Sequence, residues 1–412
     1  VVSFTSQSPT LSVARGDGTY IDFANGKHAT ENADDQAVLR GTEGVIEDGR
    51  YYPPIVKDEP KATGLNPDVL NWYSPVLGVA DGYGSSAEQM MLAIEKLGKR
   101  VSVAPGFNLS SGQTHVKEII ERSFVRGKDR IVYCPPHEVA WKPAYPGQRA
   151  FGFSMWEDSI LPQAWDHVYP NVSAILAPST FCVNLFKERI EQLGLKTPIH
   201  YVPLGVNHEL YPYRQRTFHK GNEPFIVLHC STAVDEERKG GLIAYEAFCR
   251  AFPGKENVQL VFRCRQGKLP ISDPRVVFDS GVATDDEKLA QMYKAHVLLY
   301  PSYGEGFGLI PLEAIASGLP AIVSANTGMN DYRDLFEPIQ CDPERSGIAV
   351  YFQRESRGDW MKPRIEDAAN TLRWMHENYS ATQSRSAKTA KAVRSSWGYD
   401  RSARAILDIL EG

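Results

Sequence analysis

Several things are missing from this 412-residue chain, and each absence narrows its class. No apolar run approaches the length needed to span a bilayer, and the opening residues, Val-Val-Ser-Phe-Thr-Ser, lack a basic stretch followed by an apolar core. The expectation is a cytoplasmic protein with no transmembrane segment. The six cysteines (Cys134, Cys182, Cys230, Cys249, Cys264, Cys341) include no Cys-x-x-Cys pair, which argues for reduced core thiols. Positive charge is not in excess: the formal net charge is −5, against strong sequence-independent binding to nucleic acid, although a local basic groove is compatible with it. No glycine loop is followed by Gly-Lys-Ser/Thr, so a Walker-type phosphate loop is excluded.

What is present is an ordinary globular composition, 42% hydrophobic and 23% charged, in a chain too long for one core. The first 60 residues read as a small β-rich appendage and linker, with a hairpin expected around Asn25-Gly26 in Tyr20–Thr30 and proline-containing linker sequence from Gly44 to Pro67. The appendage is open to two readings, docking of an acceptor or partner, or a packing and oligomer contact. From Asn71 strand and helix patterns alternate. The first strand is expected at Val76–Ala80, followed by a turn with Gly82 and Gly84, a helix to Leu97 and a strand at Val101–Ala104. Further strands are expected at 130–134, 150–153 and 173–177. The turns after two of them, Pro135-Pro-His137-Glu138 and Ser154-Met-Trp156-Glu157-Asp158, lie where open α/β sheets place their ligands. A second series restarts at Phe225 and continues through 258–264, 276–278, 296–300 and 321–324. Thr284-Asp-Asp-Glu287 reads as a capping box rather than a metal site, and no metal is expected.

The most informative stretch is Tyr300-Pro-Ser-Tyr-Gly-Glu305-Gly306-Phe307-Gly308-Leu309-Ile-Pro-Leu-Glu313-Ala-Ile-Ala-Ser-Gly-Leu-Pro320. An apolar strand enters a glycine-dense turn, and a short helix follows, with Pro311 in its first turn and Gly318 at its end. Strand, glycine loop and helix N-terminus together present N–H groups to an anion. Glu305 and Glu313 bracket the loop, and a carboxylate pair without a lysine suits the hydroxyls of a sugar or ribose.

This string resembles the Glu-x7-Glu signature of retaining glycosyltransferases of the GT-B fold, in particular glycosyltransferase family 4 (group 1). The Pro-Ser pair at 178–179 and Val202-Pro-Leu-Gly-Val-Asn207 agree with that family's order, and Arg238-Lys239-Gly240 resembles its phosphate-holding element. The resemblance implies two Rossmann-like doubly wound domains facing a cleft: an N-terminal acceptor domain (61–212), a nucleotide-sugar domain (213–395) and a terminal helix (396–412) that packs back on the first. It implies transfer of a hexose-type sugar from a UDP- or GDP-sugar co-substrate to an acceptor hydroxyl, without metal or tightly bound cofactor. By resemblance Arg238 and Lys239 hold the donor phosphates, Glu313 the ribose, Glu305 the transferred sugar, Gly306–Leu309 the phosphates through their backbone, and Gly281-Val282 the base. Gly82 and Gly84 are further donor-side candidates, and His137, Trp156 and Glu157 stand on the acceptor side. Glu157 occupies the place of a family histidine, where it would act as a base or orient a hydroxyl. The catalytic set is thus Glu305, Glu157, Lys239 and Arg238. One departure is Ala233 where many relatives carry arginine, so that phosphate neutralisation would come from Arg238, the backbone N–H groups of Gly306–Leu309, or a residue such as Arg263 or Arg265.

The small β-appendage on an otherwise standard transferase suggests a macromolecular acceptor (virion protein, modified DNA base or glycan); the N-terminal stretch is similar to those beside bacteriophage-encoded proteins, a resemblance that fits the first two acceptors and implies the host cytoplasm as location. Two alternatives stay open, a GT-B sugar-nucleotide epimerase and an inactive sugar-nucleotide-binding module.

Overall fold

Parallel strands need a crossover to return, and from residue 66 the chain supplies one after most strands. The computed structural model describes residues 64–78, 82–104, 107–109, 114–137, 140–219, 221, 223–254, 256–345 and 358–412, and before them the backbone of six short strands. The chain divides into two compact units, Val1–Cys134 with Val139–Gly152, and Pro135–Glu138 with Phe153–Gly412.

In the first unit, β1 (Val2–Ser6) pairs antiparallel with β4 (Lys27–Thr30) and β5 (Val45–Glu47), and β2 (Ser12–Ala14) with β3 (Tyr20–Asp22). The β-rich character is as expected, but the expected hairpin is not the pairing adopted: the strands on either side of Asn25-Gly26 pair elsewhere, and that turn lies outside the described residues. The stretch taken for a linker holds β5 and β6 (Arg50–Tyr51).

β7 (Asn66–Tyr73) is the first long parallel strand, between β9 (Arg100–Val103) and β11 (Gly127–Tyr133). It replaces the strand expected at Val76–Ala80, where the described residues form β8 (Val76–Leu77), which pairs with β10 (Phe107–Leu109) instead. The sequence disguises β7 because Asn71 interrupts its apolar run. That side chain is buried with its polar atoms satisfied: its amide donates to Val125 O (2.8 Å), and its oxygen accepts from Gly127 N and Gln148 Nε2, both at 2.9 Å. Helix α1 (Gly82–Lys96) follows, then α2 (Lys117–Ile120) and β12 (Arg149–Phe153).

The second unit contains β13 (Ala174–Ala177), α3 (Thr180–Gln192) and β14 (Ile199–Tyr201), β13 and β14 being parallel. Its main sheet contains β15 (Phe225–Ala233), β16 (Val258–Gln266), β17 (Val276–Ser280), β18 (Val297–Tyr300), β19 (Ala321–Ser324) and β20 (Glu337–Ile339). They run in the order β17-β16-β15-β18-β19-β20, with every neighbouring pair parallel. The order turns outward in both directions from β15 and β18, and the carboxyl ends at such a switch point are where open α/β sheets bind ligands. Helices α4 (Gly241–Ala251) and α7 (Ile365–Glu377) cover one face, and Phe248 and Leu372 pack with Phe225, Leu260, Val297 and Ile322 of the strands. Faces covered in this way explain why the strands read as nearly continuous apolar runs.

Helix α5 (Asp285–Lys294) opens with the predicted capping box: Thr284 Oγ1 accepts from Glu287 N, and the Glu287 carboxylate accepts from Thr284 N. Helix α6 (Leu309–Ala316) carries the Glu313 side of the carboxylate pair. An antiparallel hairpin, β21 (Cys341–Arg345) with β22 (Asp359–Pro363), was not foreseen. After α8 (Tyr379–Ser396), the last helix, α9 (Tyr399–Glu411), lies against the Pro203–Val206 segment: Ser402 donates its hydroxyl to Pro203 O, and Val206 N donates to Trp397 O at 2.7 Å.

Candidate active site

Strand β18 ends at Tyr300, and the chain turns through Pro301–Gly308 into α6. Three glycines allow the turn to lie flat against its neighbours. A Cβ on Gly304 would stand 2.3 Å from Glu157 O, one on Gly306 2.5 Å from Met155 Cβ, and Gly308 adopts φ 88°. The loop carbonyls are all directed inward. Gly304 O accepts from Arg238, Glu305 O from Gly328 N, Gly306 O from Ser179 Oγ (2.7 Å), and Phe307 O and Gly308 O from Tyr332. The N–H groups of Gly306, Phe307, Gly308 and Leu309 find no acceptor among the described residues, and Gly308 caps α6 with no side chain. Four consecutive donors at a helix N-terminus thus have no acceptor among the described residues, the arrangement by which helix N-termini receive anions.

Beside this loop Glu305 is nearly buried, 7% exposed, and heavily bonded. Its Oε1 accepts from Lys239 Nζ (2.8 Å), Tyr300 OH (2.9 Å) and Ser302 Oγ (2.8 Å), and its Oε2 lies 3.2 Å from Arg238. Burial alone would raise its pKa, yet Lys239 and Arg238 overcome that and hold it at about 2. This carboxylate stays ionised at any working pH. Oε1 has more donors than lone pairs, which leaves Oε2 as its accepting face.

Arg238 and Lys239 come from a 3₁₀ turn that Gly240 ends in left-handed conformation (φ 69°), so close to Pro301 that a Cβ there would stand 2.0 Å from Pro301 O. Arg238 donates to Glu236 (3.0 Å) and Gly304 O (2.8 Å), and approaches Glu157 at 4.0 Å. Three carboxylates thus surround one guanidinium. Glu157 differs from Glu305: burial raises its pKa, only partly offset by Arg238.

Glu313 sits one turn into α6. Burial raises its pKa, and it accepts a hydrogen bond from Tyr211, with the Lys288–Asp285 pair (2.6 Å) nearby.

The structure therefore brings Glu157, Arg238, Lys239, Glu305 and the Gly306–Leu309 backbone together. Phe307 contributes only main chain, since its ring is buried against Tyr332 and Trp397. Trp156 is buried as well, its indole N–H given to Ile160 O (2.8 Å). His137 is exposed, and Val282 is 52% exposed beyond Gly281. Arg263 spends its guanidinium on the carbonyls of Asp279 and Gly281, both at 2.8 Å. Arg265 is exposed. Gly82 and Gly84 belong to the first unit, where they lie in the first turn of α1 and not in a turn before it. Gly84 packs on the Leu77–Gly78 backbone, a Cβ there falling 2.7 Å from Gly78 O.

Sequence reading missed Tyr300, Ser302, Asn326 and Thr327. The signal for the first two was polar atoms at the very end of an apolar strand. For the others it was the turn string Asn326-Thr327-Gly328.

Residues 272–406 match the family model described as "Family 4 Glycosyltransferase in conflict systems". D-inositol 3-phosphate glycosyltransferase of Mycobacteroides abscessus is 36% identical over 75 residues, which is 18% of this chain and 15% of that relative. Among solved structures, sucrose-phosphate synthase from Thermosynechococcus elongatus superposes with TM-score 0.56 at 13% identity, over 83% of this chain and 98% of that one. The Anabaena protein HepE, solved with UDP-glucose, gives TM-score 0.53 at 12% identity over 83% and 99%. The chain has the GT-B fold, two Rossmann-like parallel-sheet domains, and over its C-terminal third it is similar to the family 4 glycosyltransferases.

Proposed function

We propose that the chain is a retaining glycosyltransferase that moves a hexose-type sugar from a nucleotide-sugar donor to an acceptor hydroxyl. The observation that carries this reading is the set of four loop N–H groups, Gly306 to Leu309, that have no acceptor among the described residues, beside the Arg238–Lys239 pair. Both features favour an anion, and both lie at the carboxyl ends of central strands.

In this reading the donor diphosphate rests on those N–H groups. Arg238 and Lys239 stabilise the charge that grows on the leaving phosphate as the glycosidic bond breaks. Glu305, held ionised by the same cations, offers Oε2 to a hydroxyl of the transferred sugar. Glu313 accepts from the ribose hydroxyls, and the exposed Val282 turn faces the base. Glu157 stands where the acceptor hydroxyl would enter, and its raised pKa suits it to take or share that proton. UDP or GDP serves as the nucleotide; the UDP-glucose bound in HepE favours UDP. Residues 61–212 serve the acceptor and residues 213–395 the donor. A macromolecular acceptor fits the extra β strands before residue 52.

The test is a panel of UDP- and GDP-sugars followed by proton NMR, with a simple alcohol as surrogate acceptor. The expected product is the glycoside with the donor's anomeric configuration. Product of inverted configuration removes the retaining mechanism, epimerised donor points to an epimerase, and no binding of any sugar nucleotide removes the whole reading.

A further inference from the structure

Among the described residues, Thr327 is the one non-glycine residue with positive φ, 41°. A β-branched side chain there is strained, and such strain persists only where its surroundings impose it. The surroundings are those of Glu305. Thr327 Oγ1 accepts from Glu305 N at 2.9 Å and donates to Asn326 Oδ1 at 2.9 Å. The next residue, Gly328, donates its N–H to Glu305 O at 3.0 Å. The left-handed turn thus puts one hydroxyl and one N–H on the two polar groups of a single residue. Gly328 has no room for a side chain, because a Cβ would meet Gly306 O at 2.3 Å.

Asn326 anchors the grip. It is 2% exposed, and its amide donates to Ser302 O (3.0 Å) and to Met361 O of β22 (3.3 Å). Met361 N donates in turn to Tyr303 O at 2.9 Å. A continuous set of hydrogen bonds therefore runs from the β21–β22 hairpin through Asn326 and Thr327 to the Glu305 backbone.

We propose that Thr327 is a positioning residue: its hydroxyl, held by Asn326, fixes the Glu305 peptide, and through it the direction of the Glu305 carboxylate and of the N–H groups at Gly306–Leu309. The effect on transfer rests on the glycosyltransferase reading above; the effect on the loop does not.

The deciding comparison is Thr327→Ser against Thr327→Ala, which differ by one oxygen. The first measurement is hydrogen exchange of peptides covering residues 303–310 in the full chain without ligand. One hydrogen bond lost corresponds to about fivefold faster exchange in Thr327→Ala, while Thr327→Ser stays near wild type. If Thr327→Ala does not fold, Thr327→Gly takes its place, since glycine accepts the left-handed backbone without strain. The second measurement is transfer kinetics. Misplacement of the reacting groups lowers kcat by roughly tenfold to a hundredfold in Thr327→Ala with a smaller change in KM, and serine restores it. Equal exchange in alanine and serine variants overturns the proposal whether or not the chain is a transferase. Faster loop exchange with unchanged kcat overturns the positioning role. Wild-type protein that turns over no sugar nucleotide counts against the function, and the exchange data then still decide the Thr327 grip.

Discussion

Glu305 and Glu313 are the same residue type on one loop-helix segment, and their surroundings differ in kind. Around Glu305 two cations and two hydroxyls converge on a nearly buried carboxylate and depress its pKa to about 2. Around Glu313 burial outweighs a tyrosine and a lysine that is itself paired with Asp285, and the pKa rises. The contrast shows how a pair legible in sequence only as a spacing separates into two roles. One carboxylate is a fixed charge built into a cation cluster. The other is a hydrogen-bonding group whose ionisation remains adjustable.

The largest effect is expected from the cation side of that contrast. Lys239→Ala removes the charge that rests on Glu305 and that the proposed function directs at the donor phosphates, and transfer should fall on the order of 10²- to 10³-fold, read from kcat/KM. A loss of less than threefold would detach Lys239 from the donor.

Next come the opposite stability signatures of the two carboxylates. The depressed pKa of Glu305 contributes stability that is present above its unfolded value near 4.5 and lost as pH falls toward 2, worth about 3 kcal/mol. Glu305→Gln should therefore lower stability at pH 7 by a similar amount, measured by denaturant unfolding. Glu313 has the reverse sign. Its raised pKa favours the fold below the unfolded value, an advantage lost as pH rises through the folded one, so Glu313→Gln should leave stability at pH 7 unchanged or raise it. Equal losses in the two variants would erase the distinction.

The smallest effect sharpens the Glu313 side. Tyr211→Phe removes the hydrogen bond that favours the ionised form, so the Glu313 pKa rises further. Donor affinity should weaken by about fivefold, and its decline on acidification should begin at higher pH. Titration calorimetry at two pH values measures both.

How far the sequence revealed this depended on whether the signal was local. The second sheet was legible because its strands are short apolar runs bounded by glycine turns, and so was the Thr284 capping box. The glycine string from Gly304 to Gly308 exposed the loop for the same reason, since each glycine answers to a close approach of a neighbour or a positive φ. In the first unit the signal failed at β7, where Asn71 looks like a strand breaker until Val125, Gly127 and Gln148 are seen to satisfy it. The same limit hid Thr327 and Asn326, whose partners lie more than twenty residues away. The hairpin β21–β22 escaped because its strands, Cys-Asp-Pro-Glu-Arg and Asp-Trp-Met-Lys-Pro, lack alternation of apolar and polar residues.

In the proposed function the Gly306–Leu309 N–H groups and the Arg238–Lys239 pair together hold a nucleotide-sugar diphosphate. Calorimetric titration of UDP, GDP and their glucose and mannose derivatives into the wild-type protein and Arg238→Ala tests it most directly. At least one nucleotide is expected to bind the wild type, and Arg238→Ala, still folded, to bind it at least about tenfold more weakly. Wild-type protein that binds none of them, or an Arg238→Ala variant that binds as tightly as wild type, would contradict it.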